Sequence, residues 1–255
     1  MLRAARPHAR ALHAGRAPRA LAPLLGPGSA AAAAAAYAAR HSQPEPPELR
    51  RVRLAALAAD PAGAQKMVSP LQGAFMAALV RAARPAAVLE LGCYVGYSAL
   101  WLAHGLCRGA APRLWTCERD PDAAQAARSN IARAGLQDTV TVLAQPAAAV
   151  LEAWDPAAKL DLVFIDANKA AYRRYYDLVL DRDLLHPRGQ IIVDNVLFRG
   201  EVLREDHAAP PAAAGASRIA RKLHEFNQHV ASDPRTTQVV LPVFDGLMLI
   251  QRADA

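Results

Sequence analysis

The stretch Val88-Leu-Glu90-Leu-Gly92-Cys-Tyr-Val-Gly96-Tyr97-Ser98 joins a run of β-favouring apolar residues to two glycines and then to a helical pattern. A strand that turns through glycine straight into a helix is the opening unit of a doubly wound α/β sheet. The glycines let the backbone come close to a ligand beyond the carboxyl end of the strand. Their spacing, E-x-G-x-x-x-G, lacks the third glycine of the dinucleotide fingerprint. A tight turn without a ligand would need the same glycines. Glu118 favours the cofactor reading, because it ends the next predicted strand 26 residues beyond Gly92, where an acid can accept hydrogen bonds from both ribose hydroxyls.

Outward from this unit, strand and helix patterns alternate. Strands are predicted at 87–91, 113–118, 139–144, 160–166 and 189–195. Helices are predicted at 48–59, 71–84, 97–107, from Asp120-Pro121 to about 134, at 146–154, 169–181 and 217–230. Two last strands, 236–243 and 247–252, flank Phe244-Asp245-Gly246, a hairpin turn signal. The prediction is an α/β fold: a doubly wound, mostly parallel, seven-stranded sheet closed by a C-terminal antiparallel hairpin. Ligands of such sheets bind beyond the carboxyl ends of the strands.

Two of those ends carry hard oxygen donors: Leu162-Val-Phe-Ile-Asp166-Ala-Asn-Lys169 and Gln190-Ile-Ile-Val-Asp194-Asn195. Asp166, Asp194 and Asn195 offer two carboxylates and an amide oxygen, a set suited to Mg²⁺, with Ca²⁺ or Mn²⁺ as alternatives. Asp194 and Asn195 are neighbours, so both reach one ion only if the strand has already turned. The rival reading is three strand-end polar residues capping helices and turns. Lys169 opens the following helix, where the dipole opposes its charge. Beside a dication its pKa should fall, as a general base requires. Asp161 lies five residues before Asp166, on the opposite strand face, and reads as structural.

The chain has 255 residues, 53% of them hydrophobic, and a formal charge of +7. No acid occurs before Glu45, whereas six arginines do, so without residues 1–44 the charge is +1. The body is thus nearly neutral, and its charge gives no argument for a nucleic-acid partner. Residues 1–44 are rich in Arg, Ala and Pro and fit an organellar targeting leader, disordered, with the mitochondrion as the expected destination and a plastid or the cytoplasm as alternatives. A compositionally biased leader without an address is the plainer reading. The alanine tract after Gly28 is too weakly apolar and too short for a membrane span. Residues 45–255 are expected to form a single domain.

Cys93, Cys107 and Cys117 have no C-x-x-C spacing and read as buried small hydrophobes. His224 and His229 are expected at the surface, and Trp101, Trp115 and Trp154 in the core. No G-x-S-x-G elbow or Ser/His/Asp set supports hydrolase chemistry. An NAD(P)-linked oxidoreductase would call for the missing glycine and would leave the oxygen cluster unused.

From Met67 to Arg252 the chain resembles the cation-dependent O-methyltransferases of the caffeoyl-CoA and catechol type. The resemblance is carried by Met67-Val-Ser-Pro-Leu-Gln72-Gly73, Glu90-Leu-Gly92-Cys-Tyr-Val-Gly96-Tyr-Ser98, Glu118, Phe164-Ile-Asp166-Ala-Asn-Lys169-x-x-Tyr172, Val193-Asp194-Asn195 and Leu241-Pro-Val-Phe-Asp245-Gly246. It implies a Rossmann-like fold and S-adenosylmethionine bound by Val68, Glu90, Gly92, Cys93, Gly96, Ser98, Glu118, Ala147 and Asn168. It implies further that Asp166, Asp194 and Asn195 hold the cation and that Lys169 is the base. The implied acceptor is a small hydroxylated aromatic molecule, and the implied assembly a homodimer. Asn168 stands where the family usually has aspartate. Phe198 and Arg199 replace the Trp and Asn of plant members in the acceptor loop. A protein that binds the adenosyl cofactor without catalysis is the alternative.

Overall fold

The central strands are buried on both faces, and successive side chains along them turn alternately into two packed layers on one sheet. The computed structural model describes residues 29–106, 113–205 and 217–253. The sheet contains β1 (Ala87–Leu91), β2 (Arg113–Cys117), β3 (Val140–Leu143), β4 (Leu160–Ile165), β5 (Leu185–Val193), β6 (Thr236–Leu241) and β7 (Leu247–Arg252). Their order is β3-β2-β1-β4-β5-β7-β6, parallel through β5 and antiparallel from β5 to β7 and from β7 to β6. This is the doubly wound sheet with a terminal hairpin that the sequence predicts.

Leu89 and Leu91 of β1 face one layer, with α6 (Ala147–Ala153), α7 (Tyr172–Asp181) and α8 (Arg218–Ser232). Val88 faces the other, with α2 (Pro47–Ala59), α3 (Pro70–Ala83), α4 (Tyr97–Gly105) and α5 (Pro121–Arg133). Helix starts follow local chemistry. Ser69 caps α3 by accepting from Gln72 N at 3.1 Å, with Pro70 in the first turn. Asp120 caps α5 from Asp122 N and Ala123 N, ahead of Pro121. Each cap satisfies an N–H that the helix itself leaves unbonded.

The structure departs from the expectations in several places, of which four bear on the fold. β5 begins at Leu185, four residues before the predicted Gly189, and tolerates Pro187 because the β4–β5 register shifts between Leu160 and Leu162; an irregular pairing does not need proline's missing N–H. The predicted helix from Lys169 is a short 3-10 turn, Lys169–Ala171, running into α7. His229 is half-buried at the surface and is not free there: its Nε2 lies 2.7 Å from Asp177 Oδ1 and its ring packs edge-on to Tyr176. Part of the stretch expected to be disordered is helical. The chain divides into two units, Met1–Ser42 and Gln43–Ala255, and the first contains helix α1, Ser29–Arg40. Alanine has the highest helix propensity, which accounts for it.

Cys93 and Cys117 are buried as expected, while Cys107 lies outside the described residues. Trp101 is fully buried, and Trp115 stacks edge-to-face on Trp154 at 5.2 Å. Asp161 caps the far end of the sheet by accepting from Ala86 N and Ala87 N at 2.8 and 2.9 Å. Among the described residues no helix is long and apolar enough to cross a membrane.

Candidate functional site

Parallel pairing places the carboxyl ends of β1, β2, β4 and β5 side by side, and a cleft of about 1000 Å³ opens beyond them. Backbone bonds step across these ends: Gly92 N to Cys117 O, Asp166 N to Leu91 O, and Asp194 N to Ile165 O, at 2.9–3.1 Å. Val68, Gly92, Cys93, Ser98, Glu118, Ala147, Asp166, Asn168, Lys169, Asp194, Asn195, Phe198 and Arg199 all line the cleft. Glu90 and Gly96, also predicted, do not line it. Glu90 lies fully buried beneath it, and Gly96 precedes α4 with its Cα turned to α5, where a Cβ would meet Ala127 at 3.3 Å.

The β1–α4 turn alternates left-handed backbone at Gly92 (φ 95°), Tyr94 (φ 48°) and Gly96 (φ 86°). At Gly92 a Cβ would lie 2.4 Å from the carbonyl oxygen of Asp166, so only glycine lets these two strand ends meet. Glu118 braces the turn: its Oε2 accepts from Tyr94 N at 2.9 Å and its Oε1 from Asp120 N at 3.0 Å. Glu118 lines the cleft and each of its oxygens can accept a second hydrogen bond, so ribose hydroxyls remain within its capacity. Glu90 Oε2 accepts a short hydrogen bond from Thr116 Oγ1, whereas Oε1 is buried without a partner. Burial pushes the Glu90 carboxyl up to about 7, with the charges of Asp166 and Glu118 adding to it. A cationic ligand would offset all three effects. The donor chemistry thus fits a positively charged nucleoside-type cofactor.

The second half of the cleft gathers the oxygen donors. The strand turns directly after β5: Asn195 has φ 60°, which brings consecutive side chains to one site. Burial raises the carboxyl groups of both Asp166 and Asp194 above their ordinary value, and Asp166 adds its own repulsion to Asp194. Lys169 Nζ opposes this from 3.0 Å at Asp166 Oδ1. Among the described residues no three His, Cys, Asp or Glu side chains cluster as metal ligands; the set here is two carboxylates and an amide. Two buried acids sharing one lysine are a donor set that a hard dication would complete.

Two residues here carry roles that sequence reading missed. Gln72 of α3 donates from Nε2 to Asp194 Oδ2 at 2.7 Å, in buried surroundings, while Asn195 N donates to Asp194 Oδ1 at 2.7 Å. Asp245 of the β6–β7 turn accepts from Asn195 Nδ2 at 3.0 Å. Both stood in quoted motifs, but their partners lie 122 and 50 residues away, and no local pattern signals such contacts. Tyr172 Oη is a further buried polar atom without a partner; its burial first, and then the charges of Asp166 and Asp194, hold its hydroxyl protonated.

Comparison with known proteins agrees with this geometry. A family model described as O-methyltransferase matches residues 39–253. A catechol O-methyltransferase of Mycobacterium tuberculosis is 38% identical over 73% of this chain and 81% of its own length. One from Niastella koreensis is 36% identical over 71% of this chain and 80% of its own. The SAH-bound crystal structure of the Podospora anserina methyltransferase PaMTH1 superposes with a TM-score of 0.81 at 32% identity, covering 91% of this chain and 98% of that one. A doubly wound sheet with an antiparallel hairpin, a glycine-turn cleft and these matches lead to one assignment: the chain belongs to the O-methyltransferase family.

Proposed function

We propose that this chain is an S-adenosylmethionine-dependent enzyme that methylates a hydroxyl of a catechol-like or caffeoyl-like small molecule with the help of a divalent cation, Mg²⁺ in the first instance. One observation carries the cation: two buried carboxylates, Asp166 and Asp194, stand at adjacent strand ends beside Asn195, with a single lysine to balance them. The names of the similar catechol O-methyltransferases support the acceptor class.

S-adenosylmethionine supplies the methyl group. A divalent cation bound by Asp166, Asp194 and Asn195 supplies positive charge that lowers the pKa of a hydroxyl. The protein's own residues do the rest. Gly92 admits the cofactor backbone-close, Glu118 holds its ribose, and Val68, Cys93, Ser98, Ala147 and Asn168 shape its bed. Glu90 offers a buried carboxylate oxygen. Lys169 Nζ, 3.0 Å from Asp166 Oδ1, is the base that takes the proton of the hydroxyl. Phe198 and Arg199 form the acceptor wall. Holding acceptor and donor in line is the main source of rate.

The test is methyl transfer from labelled S-adenosylmethionine to a panel of catechols, with Mg²⁺ and with EDTA. Transfer should require the cation, and Asp194→Ala should lower kcat by about 10²-fold or more. Transfer undiminished by EDTA would overturn the cation's role. Tight cofactor binding with no transfer to any acceptor would favour a non-catalytic binder. We propose also that the enzyme is a homodimer and that residues 1–44 are a mitochondrial leader. Sedimentation of the purified protein checks the first, and the N-terminus of the protein recovered from cells checks the second.

A further inference from the structure

Asn195 and the acceptor loop hang on one carboxylate. Asp245 accepts from Asn195 Nδ2 at 3.0 Å through Oδ2, and through Oδ1 it accepts a short hydrogen bond from Arg199 N. The backbone of the same turn joins in: Leu197 N donates to Asp245 O and Val196 N to Gly246 O, both at 3.1 Å. Between these anchors the chain is held in an unfavourable form. Asn195, Phe198, Arg199 and Gly200 all have positive φ, at 60°, 45°, 55° and 76°. A non-glycine residue there is strained and persists only where its surroundings over-determine it. Asp245 is such a surrounding.

The chemistry of the amide gives the contact its direction. A carboxamide has a donor end and an acceptor end. With Nδ2 engaged by Asp245, Asn195 has Oδ1 left for a cation. We propose that Asp245 is a positioning residue: it orients the Asn195 amide oxygen-forward and, through its other oxygen, holds the left-handed acceptor loop. The metal ligand and the acceptor wall are therefore set by one side chain. This inference rests on the proposed cation set and adds to it a residue that acts through the Asn195 amide and the Arg199 backbone.

Its test is direct Mn²⁺ binding to the full chain, followed by electron paramagnetic resonance without cofactor or acceptor. In Asp245→Asn the new amide nitrogen replaces Oδ2 and meets the Nδ2 of Asn195, donor to donor. Relief requires Asn195 to flip, which turns its NH₂ toward the cation. Mn²⁺ affinity should fall by roughly 10–100-fold, as for other partners of metal ligands. Combining Asp245→Asn with Asn195→Asp should restore it to within about threefold of wild type. In that pair the amide at 245 still accepts from Arg199 N and donates to a carboxylate at 195, which keeps an oxygen for the cation. A purely structural role for Asp245 predicts no gain in the pair beyond what the added carboxylate gives in Asn195→Asp alone, which is measured alongside and which sets two carboxylates, at 195 and 245, against each other.

Wild-type affinity in Asp245→Asn, or a double variant no better than the single one, overturns the proposal. If Asp245→Asn alone fails to fold, the double variant decides: tight Mn²⁺ binding supports the proposal and weak binding overturns it. Binding that is lost in Asp194→Ala but kept in Asp245→Asn overturns this inference and leaves the cation set standing. A wild-type chain that binds no Mn²⁺ overturns both.

Discussion

Glu90 keeps one carboxylate oxygen buried and unbonded, and a residue left in that state has a consequence that can be measured. Its carboxyl is raised from 4.5 to about 7 by burial. The folded chain therefore holds this proton more tightly than the unfolded chain does. The contribution to stability is complete below pH 4.5, declines as pH rises and is gone above about 7. Glu90→Gln should remove this decline. Urea unfolding without cofactor should show the variant gaining on wild type between pH 5 and pH 8, by on the order of 3 kcal/mol. Affinity for S-adenosylmethionine should fall in the same variant. Parallel pH profiles for the two proteins would contradict the account. The sequence made Glu90 legible as a cofactor residue through its place before Gly92. It did not reveal that Glu90 lies beneath the cleft, because that depends on Thr116 and α4 closing over it.

At the scale of elements, two left-handed glycines do different work. Gly92 ends β1 where a Cβ would meet the Asp166 carbonyl at 2.4 Å; Gly135 follows α5 with nothing within 4 Å of the same atom. Gly135→Ala should cost only the backbone penalty, about 1–2 kcal/mol. Gly92→Ala adds a clash with main chain that cannot rotate away, so it should cost about 3 kcal/mol or more and abolish cofactor binding. Thermal unfolding of the two variants compares them directly, and equal losses would refute the difference. Element boundaries were legible wherever the chain carries its own stop: Pro121 after Asp120 starts α5, and β1 and β7 have the predicted bounds. They were not legible where a neighbour decides. β5 runs through Pro187 because β4 pairs with it irregularly, and the first turn after Asn168 tightens because Asn168 Oδ1 takes Ala170 N at 3.3 Å.

For the whole molecule, the proposed cation set joins the ends of β4 and β5, so its occupancy should stabilise the fold. Binding to the native state alone adds about 2.7 kcal/mol at a hundred times Kd. For a domain of this size that is roughly a 5–10 °C rise in Tm on adding Mg²⁺. The rise should vanish in Asp194→Ala and on chelation; an unchanged Tm at saturating Mg²⁺ in wild type would refute it.

The antiparallel hairpin has a further consequence, in the order of synthesis. β7 enters the sheet from the opposite end, and so the turn ahead of it, with Asp245, comes to the mouth of the cleft. That turn leaves the ribosome after all five parallel strands. A nascent chain therefore contains Asp166 and Asp194 before the turn that clasps Asn195 has been made. The surroundings of Asn195 are complete only once the hairpin has paired with β5.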